Sequence, residues 1–182
     1  MSLTHAFFAE RRVAKLPEID GIEPLRIETI GVVGGGAIGV GIAVSALLNG
    51  LDVTLLARDP QTVEVAYGRI SRILGQAVKW DKLLSGARVC IFSHKFCTAT
   101  DCATFARVDL VIEAIFESME VKMDVLKKLD AVRRPGAILE TDTSYLDFNM
   151  IAVITTRPRN EVWLHFFPSL CDALSGSGCW RC

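Results

Sequence analysis

Gly34-Gly35-Gly36-Ala37-Ile38-Gly39 constrains this chain more than any other stretch, because of where it lies. It follows directly on Thr29–Val33, a run of mostly β-branched residues that suits a buried strand. It opens Ala37–Leu48, where Ile38, Ile42 and Ala46 recur at helical spacing before Asn49-Gly50 ends the run. Glycines at the first, third and sixth positions between a strand and a helix form a phosphate-binding turn. Gly34 permits the tight turn, Gly36 lets a pyrophosphate approach the backbone, and Gly39 lets helix and strand pack closely. Ala37 and Ile38 complete the helix N-terminus that faces the anion. The expected ligand is a nicotinamide dinucleotide.

The rest of the chain repeats the alternation. Further strands are expected at Val53–Leu56, Ala87–Phe92, Leu110–Ile115, Ala137–Leu139 and Val162–Phe166. A helix begins at Asp59-Pro60, with Val63, Ala66, Ile70, Ile73 and Ala77 on one stripe. Another carries Val121, Val125, Leu129 and Val132 and ends at Pro135-Gly136, and a short one covers Asp147–Ile154. This pattern predicts an α/β fold with a doubly wound, mostly parallel sheet of the Rossmann type. With 182 residues, 51% of them hydrophobic, the chain fills one such core. Residues 1–28 read as a linker-like segment, 29–168 as the dinucleotide-binding domain and 169–182 as a divergent, disordered tail.

Twenty Lys and Arg against 21 Asp and Glu leave a net charge of −1, which argues against a nucleic-acid partner. No apolar run is long enough to cross a bilayer. Met1–Arg12 places its charges after its apolar residues, unlike a secretory signal, so a reducing, cytoplasmic compartment is expected. The six cysteines are then free thiols, and Cys179-x-x-Cys182 lacks the second pair of ligands that a metal site needs.

About twenty residues after the glycine turn, a carboxylate ordinarily receives the ribose 2′-hydroxyl of NAD. Ala57-Arg58-Asp59 stands there instead. A small neutral residue followed by Arg suits a 2′-phosphate, which brings NADP in beside NAD. Asp59 swinging to the ribose, with Arg58 on a solvated edge, is the competing reading. The two remain open at this level.

Several separated motifs resemble one family. Ile30–Ala43 around the glycine turn, Asp109-Leu-Val-Ile-Glu-Ala-Ile-Phe-Glu117, Arg134-Pro-Gly-Ala-Ile-Leu139 and Leu164-His-Phe-Phe167 are similar in order and spacing to the nicotinamide-binding domain of 3-hydroxyacyl-CoA dehydrogenases. Ala6–Arg11 is similar to the linker before that domain in multifunctional β-oxidation enzymes. The resemblance implies oxidation of 3-hydroxyacyl-CoA to 3-ketoacyl-CoA, and a peroxisomal location if the source is eukaryotic. It matches His165 to the catalytic histidine, where an imidazole with unperturbed pKa near ~6.5 exchanges a proton at neutrality. Without it, His165 reads as a packed histidine at the lip of a strand. Ser144 matches a serine beside substrate and nicotinamide, and Glu117 and Lys122 match cofactor contacts. Their plain alternative is a solvated pair at a helix start.

The chain also departs from the family pattern. Asp142 stands where the family has Asn, Pro168 where it has Asn or Ser, and Ser177 where a glutamate partners the histidine. The resemblance further implies that the family's helical C-terminal domain is absent, which predicts little activity for this chain alone and an apolar patch around Phe166, Phe167 and Leu170 that favours self-association. A catalytically inactive nucleotide-binding module is the alternative.

Overall fold

The computed structural model describes Gly21 and residues 23–115, 118–142, 155–157 and 160–164. Six strands form one sheet: β1 (Thr29–Val33), β2 (Asp52–Leu56), β3 (Phe96–Ala99), β4 (Leu110–Glu113), β5 (Ile138–Asp142) and β6 (Glu161–Leu164). Their order is β3-β2-β1-β4-β5-β6, and every pair is parallel. The direction of winding reverses between β1 and β4, which opens a crevice at the C-terminal ends of those two strands.

Side chains alternate across the sheet and so build two cores. Ile30, Val32, Val53, Leu55 and Ile112 face one side, where α1 (Ala37–Leu48) and α2 (Pro60–Lys79) cover them. Val33, Leu56, Val111 and Leu139 face the other, under α4 (Met119–Val132) and the 3₁₀ turn Cys102–Arg107. Gly31 has no side chain on that second face because the ring of Phe105 fills its place; a Cβ there would lie 2.8 Å from a ring carbon. Helix α1 is apolar all round and buried along most of its length, and α2 buries the expected stripe through Ala66, Ile70, Leu74 and Ala77.

Two expectations fail. Ala87–Phe92 is not a strand: Ser85–Cys90 forms α3 and Ile91–Lys95 a π-helical turn, and the third strand begins at Phe96, paired with Val53. The β-branched and aromatic residues of this stretch are used differently. Ile91 is buried, while Phe92 closes an aromatic cluster with Tyr67 and Phe96 at ring separations of 5.2 and 6.0 Å. Helix α4 is also rotated from its expected stripe. Val121 is exposed, and Lys122, Leu126, Leu129 and Asp130 point inward, because the two charged residues find partners there that hydrophobic periodicity does not register. The expected helix at 147–154 and the tail 169–182 lie outside the described residues.

At the opposite edge from the crevice, Asp109 joins β1 to β4. Its Oδ2 accepts the Glu28 and Thr29 backbone N–H groups at 2.9 and 2.8 Å and the Thr29 hydroxyl at 2.9 Å, and Arg134 pairs with Oδ1. Burial pushes the carboxyl upward, but these four donors outweigh it and hold the pKa at about 2. The unfolded value is about 3.9, so the ionised group stabilises the fold above that pH by about 2–3 kcal/mol, and this is lost as pH falls through 2. Urea unfolding of wild type and Asp109→Asn should therefore differ by a constant amount above pH 5 and converge toward pH 2.

Candidate active site

The turn after β1 is built on close approach. Gly34 adopts φ +118°, its N–H donates to the Leu56 carbonyl at 2.8 Å, and any Cβ on it would collide with the carbonyl oxygen of Ala114. A Cβ on Gly39 would likewise strike the carbonyl oxygen of Gly34. Gly35 packs on Ala66 and Thr62 of α2. Gly36 differs from all three: it is exposed, and a Cβ there would meet nothing within 4 Å. Gly34 and Gly39 are thus required by the protein's own packing, whereas Gly36 leaves open space over the backbone.

That space lies at the start of α1, alongside Ala37 and Ile38. Gly36 is the N-cap, with no side-chain cap and no acidic residue in the first turn. Helix N-termini concentrate partial positive charge and backbone donors, and here no carboxylate of the helix opposes an incoming anion. A helix N-terminus whose N-cap glycine carries no side chain and is uncrowded, at the reversal point of the sheet, fits a dinucleotide pyrophosphate.

Beside the turn, β2 ends in Leu56 and the buried Ala57. Asp59 caps α2: its Oδ1 accepts the Thr62 N–H at 2.7 Å, and its Oδ2 accepts Arg58 Nε at 2.8 Å. These bonds hold the Asp59 carboxyl below its ordinary value, led by the Thr62 backbone N–H. Arg69, which sequence reasoning missed, reaches back from α2 to place Nη1 3.4 Å from the Gly35 carbonyl. No sequence signal links two residues 34 apart.

The other wall is a buried charge cluster. Glu113, the last residue of β4, lies beside Val33 and Thr141 in the sheet register and is fully buried with Lys122. The Lys122 ammonium donates to both Glu113 carboxylate oxygens at 2.8 Å and to the Asp142 carbonyl at 2.9 Å. Thr141 Oγ1 and the Ile115 N–H donate to the remaining lone pairs at 2.6 and 2.8 Å. The plain alternative for Lys122, a solvated side chain, therefore fails. A glutamate inside the apolar run Val111-Ile-Glu-Ala114 was the available signal, since a buried carboxylate demands a cationic partner. Glu117, Ser144 and His165 lie outside the described residues, as does Pro168. Among the described residues Cys90, Cys97 and Cys102 are free thiols.

A family profile described as 3-hydroxyacyl-CoA dehydrogenase, NAD binding domain, matches residues 29–170. The peroxisomal bifunctional enzyme of Cavia porcellus is 35% identical over 171 residues, covering 91% of this chain and 23% of that protein. The peroxisomal fatty acid beta-oxidation multifunctional protein of Oryza sativa is 33% identical over 168 residues, with the same coverage of 91% and 23%. The chain thus spans about a quarter of these relatives' length. The crystal structure of 3-hydroxybutyryl-CoA dehydrogenase from Escherichia coli superposes with a TM-score of 0.74 at 32% identity, covering 79% of this chain and 30% of that one.

The buried pair predicts a large, repairable loss. Lys122→Met leaves the Glu113 carboxylate uncompensated and should cost about 3–5 kcal/mol in urea unfolding. Adding Glu113→Gln, which removes the orphaned charge, should recover more than half of it.

Proposed function

The chain belongs to the family of 3-hydroxyacyl-CoA dehydrogenase NAD-binding domains, and from this premise we propose that it forms the dinucleotide-binding part of an enzyme that oxidises 3-hydroxyacyl-CoA to 3-ketoacyl-CoA in fatty-acid β-oxidation. The observation that carries this reading is the open space over the backbone of Gly36, the N-cap of α1. Gly34, Gly36, Ala37, Ile38 and Gly39 hold the pyrophosphate through their backbone. Arg58 and Asp59 stand at the ribose. Lys122 shapes the opposite wall by fixing the Asp142 carbonyl to Glu113, and the family resemblance assigns Glu117 a cofactor contact.

When bound, the dinucleotide supplies the hydride acceptor. The chain supplies the proton chemistry. His165 and Ser144 follow closely in sequence on the ends of β6 and β5, which stand in register through Leu164 and Asp142. The His165 imidazole takes the proton of the substrate 3-hydroxyl while the Ser144 hydroxyl holds the same oxygen, and the C–O bond becomes a carbonyl as the C3 hydride departs. The relatives named peroxisomal make the peroxisome the expected compartment in a eukaryotic cell. No helix among the described residues is long and apolar enough to cross a membrane.

Reduced-nicotinamide fluorescence on the purified chain tests the assignment, with two glycine variants separating binding from folding. Gly36→Val should lower the melting temperature far less than a Gly34 substitution, since its Cβ meets no protein atom and only valine's poorer N-cap preference is added, yet weaken dinucleotide binding at least about tenfold, equivalent to ~1.4 kcal/mol. Gly34→Ala should instead lower the melting temperature. Unaltered binding by Gly36→Val would remove the pyrophosphate from this turn, whereas saturable binding without turnover would favour a nucleotide-binding module.

A further inference from the structure

The rim of the cofactor site carries an arrangement that the family description, which names NAD, does not account for. Where a ribose-binding carboxylate is expected, Ala57 is small, neutral and buried. The neighbouring carboxylate is already occupied. Asp59 uses Oδ1 to cap α2 at Thr62 and Oδ2 to accept Arg58 Nε, so turning it toward a ribose hydroxyl would uncap the helix and break an ion pair together.

One arginine follows closely on β2 and a second reaches the glycine turn. Arg58 has an 86% exposed side chain, engaged through Nε alone, which leaves Nη1 and Nη2 without partners among the described residues. Arg69 lies on the following helix with Nη1 against the Gly35 carbonyl. Because Gly35 packs on Thr62 and Ala66, the glycine turn and the first turns of α2 are in contact, with Arg58 just before that helix and Arg69 reaching the turn from it. A guanidinium fork matches the geometry and charge of a phosphate far better than those of a neutral hydroxyl.

We propose that Arg58, seconded by Arg69, selects a dinucleotide carrying a 2′-phosphate on its adenosine ribose, so that this domain prefers NADPH to NADH. The inference rests on the dinucleotide-binding reading above and narrows it. Arg58 receives the phosphate through its free terminal nitrogens while Asp59 fixes the guanidinium through Nε. Arg69 adds the second positive charge from the side of the glycine turn. NADH lacks the group that both would bind, and Asp59, the carboxylate next to Arg58, is already engaged on both oxygens.

Fluorescence titration of the whole chain with NADPH and NADH, on wild type, Arg58→Ala and Arg69→Ala, tests this without an activity measurement. Wild type should bind NADPH about tenfold or more tightly than NADH, the scale of one charge-assisted contact. Arg58→Ala should weaken NADPH about tenfold and NADH less than about threefold, closing most of the gap. Arg69→Ala should narrow it in part. Adenosine 2′,5′-bisphosphate should displace bound NADPH better than ADP does, and added salt should erode that advantage. NADH binding as tightly as NADPH, or Arg58→Ala weakening both equally, would overturn the assignment. Failure of both reduced cofactors to bind would overturn the dinucleotide reading itself, and this one with it.

Discussion

The contact between Gly39 and the carbonyl of Gly34 is the closest approach on which this fold depends. Neither residue tolerates a side chain, Gly39 because of Gly34 and Gly34 because of Ala114 after β4. Their joint lack of a Cβ lets α1 start immediately above the end of β1 and lie flat on the sheet, where its apolar surface joins Ile30, Val32 and Ile112. The same geometry leaves the helix N-terminus facing the crevice between β1 and β4. Packing and ligand site are consequences of one constraint, and only Gly36 is left over for the ligand.

Helix α4 is held by a different kind of force. Its upper end contributes Lys122, which donates to Glu113 and the Asp142 carbonyl, while Thr141 donates to the same Glu113. Its lower end contributes Asp130, which accepts the Thr156 N–H and hydroxyl at 2.8 and 2.7 Å and pairs with the adjacent Arg133 at 2.8 Å. Arg133 goes on to Glu161 of β6 and the Ala137 carbonyl, and Arg157 binds the carbonyls of Asp130, Arg133 and Arg134. Burial raises the Glu161 carboxyl, with the nearby Asp130 charge adding to that push. Buried ion pairs of this kind add little net stability over an apolar core, but each partner becomes costly to lose alone. They fix the helix in one rotation, which an apolar stripe of only Leu126 and Leu129 would leave poorly determined.

This difference explains what could be read from the chain. β1, α1, β2 and α2 were legible because each signal is local: a glycine turn, a β-branched run, Asp59-Pro60 at a cap and an apolar repeat. The face of α4 was not, since Lys122 is buried only by virtue of Glu113, nine residues away, and Asp130 by Thr156, 26 residues away. The third strand was misplaced because Ile91 and Phe92 satisfy a strand pattern equally well. What moves the strand to Phe96 is tertiary: Lys95 donates to the Gly50 carbonyl and the Asp52 carboxylate at 2.7 and 3.0 Å, setting Phe96 opposite Val53. At the site, the glycines were plain in the sequence, but the occupation of Asp59 and the reach of Arg69 to Gly35 required coordinates.

The cofactor site therefore divides by how it is encoded. On the proposed reading its pyrophosphate end consists of backbone and missing side chains, of which Gly34 and Gly39 cannot change without disturbing α1 and β1 while Gly36 can. Its rim is made of side chains that carry no packing burden: Arg58 is largely in solvent, and Arg69 reaches the turn only through its last nitrogen. Charge at the rim can accordingly be altered by single substitutions at little cost to the fold. Asp59 is the exception, since it serves the helix first. With both oxygens engaged, Asp59 holds the Arg58 Nε in place, and on the proposed reading that steadies the guanidinium that would receive a phosphate.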